Sequence, residues 1–184
     1  MHGSSMNNME RCISKYMHPL MHTRTSDKLK VVDIGAQDVN GSYRTLFDNS
    51  HFDYLGVDME AANGVDLVIS DPYRIPLRDN YADCVISGQM LEHNEFFWLT
   101  FAEKMRIVND TGFVFMIAPS TGGIHRYPVD CYRFYPDAYA ALAKYTNSVL
   151  VDCWLDRDSD WGDLVGVFTK SYRPGFPRFD TGQI

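Results

Sequence analysis

The chain has 184 residues, 45% of them hydrophobic and 14% aromatic, with 17 Lys and Arg against 24 Asp and Glu and a formal charge of −7. This length suits one domain with no room for a second core, and the apolar content excludes a disordered chain. An acidic chain without a Lys/Arg block lacks the electrostatic footprint of a nucleic-acid binder, and no apolar stretch is long enough to span a membrane. The cysteines Cys12, Cys84, Cys131 and Cys153 are scattered without a CxxC pair, which points to a reducing, cytoplasmic setting. The opening MHGSSMNNME lacks the layout of a signal peptide, and its first five residues are open to reading as a cloning remnant.

In chain order, Met9–His22 has the apolar spacing of a helix, bent or broken at Pro19. It is expected to cover the site entrance as a lid, within an N-terminal segment 1–27. Lys30–Ile34 reads as the first strand, and a helix is expected to begin around Ser42–Phe47. Tyr54–Asp58, Asp66–Ile69 and Asp83–Ser87 follow as strands, continuously apolar in the middle as strands covered on both faces are. Gln89–Val108 is the longest helical stretch, closed by a turn at Asn109–Gly112. Phe113–Ala118 is the fifth strand and Pro136–Lys144 a helix with proline at its first position. Ser148–Trp154 and Asp163–Thr169 are separated by too few residues for a helical crossover, so they read as an antiparallel pair at the sheet edge. The expected fold is therefore α/β: a Rossmann-like, seven-stranded, mostly parallel sheet over residues 28–172, with helices on both faces, a closing antiparallel pair and an irregular tail at 173–184.

Open α/β sheets bind ligands at the carboxyl ends of their strands. The first strand runs into VVDIGAQDVNGSYR, where Asp33 stands at the strand end and Gly35 and Gly41 permit tight turns and close approach of a ligand. The alternative for this segment is an ordinary strand–turn–helix. Asp58, 25 residues after Asp33 and again at a strand end, suits a carboxylate accepting from two ribose hydroxyls.

The order VVDIGA, YLGVD, SDPYRIPLRDNYADCVISGQMLEH, VNDTGFVFMIAPS resembles class I S-adenosylmethionine-dependent methyltransferases of the methyltransferase type 11 family, over about Lys30 to Lys170. The resemblance implies S-adenosyl-L-methionine as cofactor, S-adenosyl-L-homocysteine as product, and transfer of a methyl group. It assigns the adenine amino group to Asp71 and a flank of the ring to Pro72. It puts Ser87 and Gly88 beneath the methionine part, and it begins the acceptor wall at Gln89 and His93. The expected cofactor site comprises Asp33, Gly35, Ala36, Gln37, Asn40, Gly41, Asp58, Met59, Asp71, Pro72, Ser87, Gly88 and Gln89. One departure from the family stands out: Gln37 and Val39 occupy the second and third glycine positions of its usual loop. That puts the contacts of Ala36, Gln37 and Asn40 in doubt, and the missing GxGxxG also argues against a nicotinamide cofactor.

The loop HRYPVDCYRFYPD, residues 125–137, packs one His, two Arg, four aromatics and acids after the fifth strand. Arg126, Tyr127, Tyr132 and Arg133 are candidates for binding a polar acceptor; the alternative is that the aromatics fill the base of the last helix while the Arg residues pair with local Asp. His125, oriented by Asp130, is the candidate catalytic base, with His93 second. The acceptor expected is a small polar molecule, a sugar or another hydroxylated metabolite. Two rivals remain: a catalytically silent methyltransferase-like binding or regulatory protein, and a nucleotide-sugar or dinucleotide enzyme on the same sheet. No metal is expected. Glu92, His93 and Glu95 form an acidic cluster of metal-site composition, but His18 and His22, four apart, lack a third ligand. Phe96, Phe97, Trp98 and Phe101 read as core packing or a partner face. A small-molecule acceptor is the expected partner, with nucleic acid and membrane not expected and a homodimer left open.

Overall fold

The computed structural model describes residues 2–21, 28–158, 160–172, 174–176 and 179. Helix α1 (Gly3–Cys12) passes through a π turn (Ile13–Met17) into the short α2 (His18–Met21). Then come β1 (Leu29–Ile34), a single 3₁₀ turn (Tyr43–Leu46), β2 (Phe52–Asp58), β3 (Leu67–Val68) and β4 (Ala82–Gly88). A 3₁₀ turn (Leu91–His93), α3 (Phe97–Ile107), β5 (Val108–Pro119), α4 (Pro136–Tyr145), β6 (Val149–Asp156) and β7 (Asp163–Thr169) complete it.

The seven strands form one sheet in the order β3-β2-β1-β4-β5-β7-β6. β1 to β5 are parallel, while β7 runs antiparallel to both β5 and β6. The expected closing pair is present with one refinement: β7 sits inside, between β5 and β6, and only β6 is an edge. Strand order reverses between β1 and β4, so the crevice at their carboxyl ends is the switch point where such sheets take ligands.

Period-two alternation sorts the core into two faces. On β5, Phe113, Phe115 and Ile117 face α1, whereas Val114, Met116 and Ala118 face α3 and α4. Helix α1 and its π turn bury Ser5, Asn8, Met9, Cys12, Ile13, Tyr16 and Met17, a stripe at spacings of three and four. The Tyr16 ring lies 5.3 Å from Phe113 and 6.0 Å from Phe115. The opening segment is thus a helix starting at Gly3 and packed into the core, with Ser4 and Ser5 of its first turn bonding Asp163 and Tyr43. The part of its expected range at His22, like positions 23–27, lies outside the described residues. Pro19 does bend the path: lacking an N–H and crowding the preceding turn, it follows a wide π turn instead of breaking the helix.

Three other expectations are corrected. The helix after β1 reduces to the 3₁₀ turn, capped by the Ser42 hydroxyl accepting from the Arg44 N–H. The helix expected from Gln89 begins only at Phe97. The Gln89 backbone is left-handed (φ 53°), and Asn94 takes the Phe96 N–H at 3.2 Å while donating to the Thr100 hydroxyl at 2.7 Å. Asn109–Gly112 is part of β5, not a turn. The strand bulges against β4 there, and a Cβ at Gly112 would sit 2.5 Å from the Asp83 carbonyl oxygen, so glycine lets the two backbones touch. Among the described residues no helix is long and apolar enough to cross a membrane.

Candidate active site at the β1–β4 switch point

At the end of β1 the chain turns at Gly35, whose φ is 88° and where a Cβ would lie 2.6 Å from Met90 Cγ. Only glycine combines that backbone with that contact. Ala36 is buried beyond it. The turn is held to β2 by Asp58, whose Oδ2 accepts from the Gln37 N–H at 2.9 Å while Oδ1 accepts from the Met59 N–H at 2.7 Å. A carboxylate has about four lone-pair sites, so one acceptor site remains on each oxygen. Asp58 is half-buried and Met59 exposed beside it. Asn40 and Gly41 are exposed farther out, their turn closed by Asp38 accepting from the Gly41 N–H at 2.7 Å.

Asp33 is buried, takes the Tyr54 hydroxyl on Oδ2 and has no partner on Oδ1. Burial raises its pKa to about 7, opposed by the Tyr54 hydrogen bond and by the Lys104 charge. Asp71 is exposed and caps its own turn by accepting from the Tyr73 N–H at 2.8 Å, and the Pro72 carbonyl takes the Thr100 hydroxyl at 3.2 Å. Ser87 is buried and accepts from the Lys104 ammonium. Gly88 lies under the Tyr43 ring, where a Cβ would meet the phenol oxygen at 2.0 Å. Tyr43 in turn bonds Ser5 of α1 at 2.5 Å. Gln89 donates to Asp163 at 2.9 Å, and Asp163 also takes Ser4 at 2.9 Å. The expected cofactor residues therefore line the ends of β1, β2 and β4 and the segment after β3.

The second half of the site is the loop after β5. His93 Nδ1 bonds the Val129 carbonyl at 2.6 Å, and its ring meets His125 edge-on at 4.8 Å. His125 lies tilted against Trp161 at 4.5 Å and its backbone N–H donates to Asp130 at 2.7 Å, with Nδ1 3.5 Å from the same oxygen. Asp130 belongs first to Arg133, at 2.6 Å and 2.9 Å, and the Arg133 hydrogen bonds hold its carboxyl well below the usual range. Arg133 also donates to the Gly123 and Tyr132 carbonyls. The Tyr132 hydroxyl is taken up by the Glu95 carbonyl at 2.8 Å, and its ring packs on Phe97 and Phe134. The Tyr132 hydroxyl and the terminal N–H groups of Arg133 are thus engaged inside the loop, while Arg133 Nε is buried without a partner. Arg126 and Tyr127 are exposed at its tip. Phe101 is core, as expected, and Phe97 packs inward.

Several site groups escape a reading of the sequence. Lys104 is fully buried, and burial pushes its ammonium down to about 7, opposed by Asp33. Its signal was available, since Thr100, Phe101, Lys104 and Met105 share the buried stripe of α3. Tyr43, Tyr54, Asp163 and Trp161 carry no local signal, because their partners are distant in the chain.

Residues 32–116 match the methyltransferase domain family. No curated protein matches the sequence. Among solved structures, a Haloferax volcanii chain in complex with the Trm112 methyltransferase activator is 15% identical at a TM-score of 0.62, covering 91% of this chain and 94% of that one. The Burkholderia thailandensis 1,6-didemethyltoxoflavin-N1-methyltransferase, with bound 1,6-didemethyltoxoflavin and S-adenosylhomocysteine, is 16% identical at 0.64, with 92% and 85% covered. A SAM-dependent methyltransferase from Aquifex aeolicus is 12% identical at 0.58, with 91% and 97% covered. At such identities the likeness to each is one of fold. The segment 32–116 is thus similar to a methyltransferase domain, and the fold is the one that these S-adenosylmethionine-dependent methyltransferases share.

Proposed function

We propose that this chain transfers the methyl group of S-adenosylmethionine to a small polar acceptor, a sugar or another hydroxylated metabolite, seated between Gln89–His93 and the loop 120–133. The observation that carries the reading is the set of unfilled acceptor positions at the switch point. Asp58 keeps one on each oxygen, Asp33 Oδ1 has no partner, and Asp71 is exposed. A nucleoside with an amino-acid tail supplies donors for such a set: two ribose hydroxyls, an adenine amino group and an ammonium. Asp58 would take the ribose, Asp71 the adenine, and Asp33 the ammonium through water, with Gly35, Ala36, Gln37, Asn40 and Gly41 as the enclosing turn and Met59, Pro72, Ser87, Gly88 and Gln89 as its walls. Bound there, the cofactor supplies an electrophilic methyl carbon.

Displacement at that carbon is accelerated mainly by holding the partners in line. When the acceptor is a hydroxyl it also loses a proton, and the two imidazoles on the rim are the groups placed to receive it. His125, beside Asp130, stands first and His93 second. Arg126 and Tyr127, exposed at the loop tip, are free to contact the acceptor, while Arg133 and Tyr132 hold that tip in place. In support, the Burkholderia thailandensis relative holds S-adenosylhomocysteine together with a small heterocycle.

The test measures S-adenosylhomocysteine and NAD by thermal shift, then methyl turnover on an acceptor panel with His125→Ala and His93→Ala. Stabilisation by S-adenosylhomocysteine alone, with turnover reduced about 10²–10⁴-fold in one histidine variant, is expected. Binding without turnover on any acceptor gives the silent reading instead. Tyr43, wedged against Gly88 and Ser5, favours that second reading, because its ring fills space beside the methionine wall. Stabilisation by NAD rather than S-adenosylhomocysteine would overturn both.

A further inference from the structure

Glu92 is the least expected group in the molecule. It is fully buried, and neither carboxylate oxygen has a hydrogen-bond partner. A buried carboxyl with no donor is costly, and such groups are normally paired or bound to a metal. Its surroundings are not empty of ligands. Glu92 Oε1 lies 3.7 Å from His93 Nε2, and one ligand atom from each of Glu92, His93 and His125 falls within 4.8 Å of the other two.

We propose that Glu92, His93 and His125 bind a divalent transition-metal ion of the zinc type, on the acceptor side of the site. Two histidines and one carboxylate are a recurrent ligand set for zinc and for non-haem iron, and three protein ligands leave a position for water or substrate. The outer contacts suit it. His93 Nδ1 is taken by the Val129 carbonyl, which fixes the proton on that nitrogen and leaves Nε2 as the ligand. His125 Nδ1 lies 3.4 Å from Gly123 O, 3.5 Å from Asp130 and 3.4 Å from Arg133 Nη2. A carbonyl or carboxylate behind each imidazole is the usual support of metal-bound histidines.

The charge balance agrees. Arg133 is already paired with Asp130, so with Glu92 ionised the two imidazoles and the carboxylate would present a net negative set. Zinc–ligand bonds of about 2.0–2.2 Å require the ligand atoms to draw together. His125, whose side chain is 39% exposed, is the one free to swing in. Glu95, the other acid of the sequence cluster, is exposed and is not a ligand. The ion would accept an oxygen of the acceptor, which narrows the acceptor to a hydroxyl or carboxylate compound; with the ion bound, His93 and His125 would hold it, and a hydroxyl's proton would pass to water instead of to an imidazole. The oxygen preference rests on the methyl-transfer reading; the binding of the ion does not.

The test uses chelator-stripped full chain without cofactor. Calorimetric titration with Zn²⁺ should give one saturable equivalent, and Co²⁺ should develop visible ligand-field absorption. His93→Ala and Glu92→Gln should each weaken Zn²⁺ at least roughly tenfold, while Cys131→Ser, removing the exposed thiol nearby, leaves affinity unchanged. If Glu92→Gln fails to fold, His93→Ala and His125→Ala carry the test. No saturable equivalent, or equal affinity in the histidine variants, overturns the proposal. S-adenosylhomocysteine affinity, measured on the same variants, reports separately on the methyl-transfer reading and is expected to be unchanged.

Discussion

Replacing Asp58 with alanine separates the two tasks of its carboxylate. In the free protein each oxygen already accepts one backbone N–H, from Gln37 and from Met59. The remaining acceptor position on each oxygen is what a ribose diol would use. Loss of hydrogen bonds to a charged group costs about 1.5–3 kcal/mol, which corresponds to roughly 10- to 150-fold in affinity. Asp58→Ala also releases two turn N–H groups, one in an exposed and one in a part-buried hydrogen bond, and the fold is expected to survive. Asp58→Asn keeps one acceptor oxygen and should fall between the two. Calorimetry with S-adenosylhomocysteine reads the affinity, and far-UV circular dichroism with thermal melting verifies that the variants are folded. A folded Asp58→Ala protein that binds within about twofold of the parent would refute the assignment of Asp58, because a diol contact cannot be removed so cheaply.

Lys104→Met should leave a pH signature. With a folded pKa near 7 against 10.5 in the open chain, the unfolded state binds more protons between those values, so the parent's stability rises with pH there. Urea unfolding should show the variant's advantage over the parent shrinking by about 2 kcal/mol from pH 7 to pH 9, and parallel profiles would refute the burial of a titrating amine. Gly35→Ala combines a positive φ with a 2.6 Å approach to Met90, so it should lower the melting temperature. Adding Met90→Ala should recover only part of the loss, since the backbone strain remains. Arg133→Leu should leave S-adenosylhomocysteine affinity near the parent's while turnover drops roughly tenfold or more, because the acceptor loop loses its tie to Asp130 and Gly123. Equal turnover would show that the loop holds its shape without it.

The strands were legible because burial on both faces leaves uninterrupted apolar runs, as in CVISG and GFVFMIAP, and because Asp33 and Asp58 stand where those runs stop. The helices were less so. Nothing local distinguishes the NDTG of a bulged strand from a turn; the difference lies in Asp83 across the sheet, whose carbonyl crowds Gly112. Arg133 looked like a ligand for an acceptor because a sequence shows its charge but not Asp130 and Gly123 around it. Glu92 was visible as an acid beside a histidine, yet its isolation from every donor is a property of burial alone. Lys104 falls on the apolar stripe of α3, but a lysine at such a position ordinarily snorkels to the surface, so its burial is not legible from spacing alone.

The placement of β7 between β5 and β6 ties the order of synthesis to the order of assembly. β5 emerges with one flank ready to pair with β4, but its other flank waits for a strand made some 45 residues later. Helix α1, made first, waits for the same hairpin: Ser4 bonds Asp163 and Asn8 bonds Asp156, at separations of 159 and 148 residues. Local contacts cannot complete this sheet, and closure of such long loops slows folding. A ribosome-bound chain lacking β7 would thus expose the bare edge of β5, and chaperone engagement should be heaviest in that interval and end when the hairpin docks.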